Sequence, residues 1–204
     1  MTLIQLVQLM QKLAREHDKR AFTLREMSSL RGEPRTGTAM TLLRAARKGL
    51  VARVGKLWLN LMDPPDLMEV GLSLVSPSYL SFESALYRLG VISQAPRGPM
   101  TMATARRSGL FETPLGSIRF FHLKPALFFG FDERRIALSE KAWLDLFYIR
   151  GLKGRKSLIT EEIYPGHLDR KAVRRAARRF PCWVRDLAET YSSSPSGRPG
   201  MASV

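Results

Sequence analysis

Cysteine is nearly absent from this 204-residue chain, and the single Cys182 excludes an internal disulfide. Histidine is almost as scarce: His17, His122 and His167 are scattered and supply no zinc-type ligand spacing. No stretch approaches the roughly 20 consecutive apolar residues of a membrane span. The best candidate, Thr2 to Ala14, is interrupted by Gln5, Gln8, Gln11 and Lys12. These absences lead to the expectation of a soluble, unprocessed, cytoplasmic protein without metal or cofactor. Acidic residues are also few. Eighteen Asp and Glu stand against 33 Lys and Arg, leaving a formal charge of +15, so the surface field favours polyanions and nucleic acid leads the partner classes. Apolar residues make up 45% of the chain, enough to bury a core.

The excess charge is densest at the front: +8 over residues 1–62, +4 over 63–157 and +3 over 158–204. Leu3, Leu6, Val7, Met10, Leu13 and Ala14 recur at helical spacing. Thr23 and Glu26 form a capping-box pair for a short helix over 24–30, which the loop Arg31 to Pro34 ends. A third helix over 36–48 is predicted to turn Ala39, Leu42, Leu43 and Ala46 inward and to expose Gly37, Thr38, Thr41, Arg44, Arg47 and Lys48. After Gly49, residues 50–54 and 57–59 read as two short strands joined at Gly55-Lys56, with Trp58 as a core anchor.

Three helices, the third cationic outside, followed by a basic hairpin, follow the winged helix-turn-helix order. Thr38, Thr41, Arg44 and Lys48 are the expected major-groove residues, with Arg35, Arg47, Arg53 and Lys56 on phosphates or the minor groove.

Asp63-Pro64-Pro65-Asp66 marks the expected boundary between a 1–62 DNA-binding domain and a 63–191 α+β domain, since two prolines break helix and strand alike. Short helices are expected over 67–74 and after a Ser81 cap. Strands are expected over 100–105, 109–113, 117–123 and 127–131, forming a small, mainly antiparallel sheet. A helix from Ser139 to Ile149 turns Ala142, Trp143, Leu146 and Phe147 to the core. In the helix over 169–180, Val173, Ala176, Ala177 and Phe180 share one face. Lys171, Arg174, Arg175, Arg178 and Arg179 share the other, a candidate second basic surface. From Ser192 to Val204 the composition reads as a disordered tail.

The run Pro77 to Leu86 (PSYLSFESAL), closed by Leu89-Gly90-Val91-Ile92, resembles the AbiEi-type antitoxins of bacterial type IV toxin–antitoxin systems, which act in abortive infection. Thr101-Met102-Ala103-Thr104, Phe111 to Gly116, Phe121 to Lys124, Phe128 to Phe131 and Ser139 to Leu146 follow in the family's order. The resemblance implies an amino-terminal winged helix that binds inverted repeats in its own promoter and represses its operon. It also implies a second domain that counters, directly or indirectly, a nucleotidyltransferase-type toxin encoded alongside. Family members are not classed as enzymes. The Arg-rich helix and the tail depart from the family pattern.

Two other classes are considered. One is a metal-dependent nuclease built on Glu83, Glu112, Asp132, Glu133 and Asp145, which nothing in the sequence groups together. The other is a non-specific basic RNA- or DNA-binding protein. His122 reads as a hydrogen-bonded structural histidine, and Cys182, beside Trp183, as buried and inert.

Overall fold

The computed structural model describes residues 2–152 and 168–193. His167 and residues 194–204 of the expected tail lie outside the described residues. The architecture is α+β, with helices and two small sheets.

The first compact unit extends through Ser76 and takes in Phe111–Ile118, so it is longer than the stretch ending at Met62. It opens with α1, Leu3–His17, whose start is fixed by a reciprocal cap between Thr2 and Gln5. Leu6, Met10, Leu13 and Ala14 are its buried stripe, as the helical spacing predicts. A three-residue strand, β1 (Ala21–Thr23), follows, and the sequence reading lacks it. Thr23 ends β1 and also caps α2 (Leu24–Arg31): its hydroxyl accepts from the Glu26 backbone N–H, while the Glu26 carboxylate accepts from the Thr23 N–H. Gly32, at φ 61°, ends α2. Then come α3 (Arg35–Arg47), β2 (Val51–Val54) and β3 (Leu57–Asn60).

β3 is the middle strand of an antiparallel sheet ordered β1-β3-β2, with Phe22 and Arg53 on either side of Trp58. Trp58 is buried in a core with Leu6, Met10, Leu13, Phe22, Met27, Leu42, Ala45 and Val51. Burying such side chains is worth about 1.5–3 kcal/mol each for the larger ones, enough to hold helices this short. The Asp63 to Asp66 stretch is tied back by an ion pair from Arg20 to Asp63 at 3.0 Å, and α4 (Leu67–Leu74) follows.

The second unit comprises Pro77–Leu110 and the chain from Arg119 onward. It contains β4 (Ser78–Leu80), α5 (Phe82–Arg88), β5 (Met100–Thr104), α6 (Ser139–Leu152), α7 (Arg170–Ala177) and α8 (Cys182–Ser193). β6 (Gly109–Thr113) and β7 (Gly116–His122) join β4 and β5 in a four-stranded sheet ordered β4-β5-β7-β6. Strand β4, antiparallel to β5 with Tyr79 opposite Ala103, replaces the strand expected over 127–131. There Pro125 starts a 3₁₀ turn, and only Phe131 makes an isolated bridge, to Ala137.

Ser81 stands at the start of α5 without capping it, because its hydroxyl is directed to Asp145 instead. α6 is buried continuously from Lys141 to Ile149, more than the expected four-residue stripe. α8 runs through Ser193 with Ser192 buried, so the helix includes the first two residues of the expected tail.

Candidate nucleic-acid interface

The first 62 residues hold four acidic side chains, and each is engaged by a cation. Glu16 meets Lys12 at 3.9 Å, Asp18 meets Arg20, and Glu26 and Glu33 meet Lys19 and Arg31 at 2.7 Å each. All four precede α3. From Arg35 to Met62 there is no acidic residue at all. Arg35, Arg44, Arg47, Lys48, Arg53 and Lys56 are all exposed, and none forms an ion pair with a described residue. Of these pairs Lys12–Glu16 is fully on the surface and adds little to stability, whereas the Arg31 side chain is buried beside Glu33. The consequence of the pairing is spatial, since the uncompensated field is concentrated on α3, at its C-terminal end and on the β2–β3 hairpin.

The structure corrects the phase of α3. Its buried residues are Thr38, Thr41, Leu42 and Ala45. Thr38 is 0% exposed and Thr41 8%, whereas Leu43, expected in the core, is 43% exposed; Ala39 and Ala46 are half-buried. Thr38 and Thr41 therefore face inward and are not available to a groove. The physical reason is local. The Thr41 hydroxyl donates to the Gly37 carbonyl at 3.0 Å, satisfying its polar atom within the helix and leaving its methyl for the core. Threonine and alanine also let neighbouring elements approach closely. Thr38 Oγ1 has no hydrogen-bond partner among the described residues.

Arg44, Arg47 and Lys48 line a recess of about 330 Å³ together with Thr41, Thr2 and Leu3, where the start of α1 meets the end of α3. Three cations around one concavity suit an anionic oxygen cluster. On the hairpin, Gly55 takes φ 56° at the turn and Lys56 beside it is exposed. The Arg53 guanidinium lies 5.8 Å from the Trp58 ring centre, and its Nε donates to the Gly55 carbonyl at 3.3 Å. Arg53 is thus held along the hairpin while Trp58 anchors it from below.

In the second unit, α7 buries Val173 and Ala177, with Phe180 just beyond it, and exposes Lys171, Arg174, Arg175, Arg178 and Arg179. The helix ends at Ala177, so Arg178 and Arg179 belong to the turn that follows. Arg179 stacks over Phe129 at 4.2 Å, and Arg174 donates to Ser193 at 3.4 Å.

The second unit also buries an ionic cluster whose members lie far apart in the sequence. Tyr79 and Ser81 each donate a hydroxyl to Asp145 at 2.9 Å; Lys141 donates to Tyr79 at 2.8 Å and pairs with Asp145. The rings of Tyr79, Phe129 and Phe180 surround the ammonium at 5.0–5.3 Å. Burial pushes the Asp145 carboxyl up and the Lys141 ammonium down from their ordinary values, each against the pull of the other. The i, i+4 spacing of Lys141 and Asp145 was the available signal.

The other carboxylates of the nuclease reading are dispersed. Glu83 pairs with Arg150 at 2.8 Å, Asp132 accepts from the Ile136 N–H at 2.8 Å, Glu112 accepts from Ser117, and Glu133 is exposed. Among the described residues no three His, Cys, Asp or Glu side chains group as metal ligands. His122 Nδ1 lies 2.8 Å from the Arg106 carbonyl, a structural contact. Cys182 is exposed, not buried: it begins α8, while Val184 turns inward.

Among the described residues no helix is long and apolar enough to cross a membrane. Neither a family model nor a curated protein matches the chain. The chain is similar in fold to the crystal structure of the RV2827C protein from Mycobacterium tuberculosis, with a TM-score of 0.56 over 94% of this chain and 76% of that one; at 14% identity the likeness is one of fold alone.

Proposed function

We propose that this chain is an AbiEi-type antitoxin whose first unit is a winged helix-turn-helix that binds inverted repeats in its own promoter and represses its operon. The observation that carries the DNA-binding half is the acid-free stretch from Arg35 to Met62, whose six exposed cations lie on α3, at its C-terminal end and on the β2–β3 hairpin. The order helix, strand, helix, helix, strand, strand, with the β1-β3-β2 sheet, supports the winged-helix reading. In this reading α3 enters the major groove and Arg53 and Lys56 on the hairpin meet phosphates or the minor groove. Arg35, Arg44 and Arg47 lie on α3 and Lys48 at its end, and the buried Thr38 and Thr41 read no base.

The antitoxin half rests on the motifs between Pro77 and Leu146. Tyr79, Ser81, Lys141 and Asp145 all lie within those motifs and form one buried cluster. The second unit then counters a nucleotidyltransferase-type toxin encoded alongside.

A mobility-shift titration of the full chain on its upstream DNA, with and without random competitor, tests the first half. Equal affinity for upstream and random duplexes would remove the regulator reading in favour of non-specific binding. Co-expression with the neighbouring toxin gene tests the second, and failure of the full chain to rescue growth would sink it.

A further inference from the structure

The corrected phase of α3 changes which side chains could meet base edges. Thr36, Met40, Leu43 and Arg47 follow one another at i, i+4, i+7 and i+11, a straight stripe along one face. At about 100° per residue, all four lie within about 30° of the direction opposite the buried set. Met40 is 54% exposed and Leu43 is 43% exposed, two apolar side chains on a helix whose charged residues are all cationic. Arg44 and Lys48 flank them on the side of the α1 recess, and Arg35 lies toward the other flank.

Resting on the DNA-binding reading above, we propose that Met40 and Leu43 are specificity-determining residues that read thymine 5-methyl groups in the major groove, with Arg47 beside them. The occupant follows from charge and apolarity together. A second copy of this chain would bring the same unpaired cations face to face across the patch, a repulsion no described acidic side chain on α3 relieves. A polyanion that also presents apolar atoms fits both requirements. Among base edges in the major groove, the thymine methyl is the apolar group. Met40 and Leu43 are separated by about 4.5 Å along the helix axis, comparable to the roughly 3.4 Å between base pairs, so they would meet neighbouring steps. Thr38 and Thr41, the side chains that hydroxyl chemistry suggests for base contact, are taken out of reach by their burial.

The test uses the full chain and duplexes selected by it from a random-sequence pool, resynthesised with deoxyuridine in place of thymidine. That exchange removes only the 5-methyl group. Anisotropy titrations of the wild type are expected to show about fourfold weaker binding for each methyl that is read, the worth of one buried methyl. Met40→Ala and Leu43→Ala are each expected to bind the thymidine duplex about fourfold more weakly and to lose the thymidine–deoxyuridine difference at one step. Both side chains are exposed, and unchanged thermal unfolding verifies that the variants fold. Wild-type protein that binds thymidine and deoxyuridine duplexes equally overturns the assignment while leaving DNA binding intact. A wild type that shows no duplex binding overturns the underlying reading as well. Sedimentation showing that Leu43→Ala dissociates a dimer, with the methyl preference unchanged, would assign the patch to self-association and also overturn the proposal.

Discussion

Salt dependence tests the electrostatic core of the DNA-binding reading directly. Six exposed cations from Arg35 to Lys56 lack an acidic partner among the described residues, and each that neutralises a phosphate releases a condensed counterion. With about 0.9 counterion released per contact, engagement of all six gives a slope near −5 for log affinity against log salt, and roughly a thousandfold loss between about 50 and 200 mM salt. Lys48→Ala and Lys56→Ala should each flatten that slope by about 0.9 and weaken operator and random duplexes alike. Neither lysine supports the fold through an ion pair, so stability should change by less than about 0.5 kcal/mol. Lys12→Ala is the internal control: Lys12 is exposed but lies on α1 beside Glu16, and its removal should leave the slope alone. Fluorescence anisotropy across a salt series, with unfolding curves for each variant, supplies every quantity. A wild-type slope shallower than about −2, or equal effects of Lys12 and Lys56, would refute the placement of the interface on α3 and the hairpin.

Asp145→Asn should destabilise the second unit by about 3–5 kcal/mol, because it leaves the Lys141 ammonium buried without a counter-charge. The pair Lys141→Met with Asp145→Leu should recover most of that loss in urea unfolding; a double variant no better than the single would show that hydroxyl partners, not charge, dominate. Thr23→Ala should cost about 1 kcal/mol in the first unit through loss of the α2 cap, measurable as a lower denaturation midpoint. Burial alone would raise the Glu26 carboxyl, but the hydrogen bonds from Lys19 and Thr23 outweigh it and hold Glu26 below its ordinary value. Its contribution is therefore present above the unfolded-state value and lost as pH falls through the lower folded one, so Glu26→Gln should flatten the acid limb of stability below about pH 4.3. Gly130→Ala should destabilise by about 1–2 kcal/mol, since φ is 71° and a Cβ would come within 3.1 Å of Lys141 Cγ; unchanged thermal unfolding would count against that packing.

Local signals in the sequence were sufficient for several elements. The apolar stripe of α1, the Thr23 and Glu26 cap, the Gly55-Lys56 hairpin and the two-faced α7 each depend on residues a few positions apart, and each appears in the structure. β1 and β4 were invisible because three residues carry no periodicity; each is a strand by virtue of a partner far along the chain, β3 for one and β5 for the other. Cys182 was expected inside on its residue type, whereas its position at the start of α8 leaves it exposed.

By itself, then, the sequence determined the charge excess, its concentration in the first 62 residues and the helical character of the segments that carry it. The tertiary structure decided which way α3 faces. A helix with several small residues has no single dominant apolar stripe, so its rotation depends on what packs against it. The contacts turned Thr38 and Thr41 inward and left Met40 and Leu43 among the arginines. Long-range packing also joined Tyr79 and Ser81 to Lys141 and Asp145 across more than 60 residues, because a buried charge needs a partner wherever along the chain it lies.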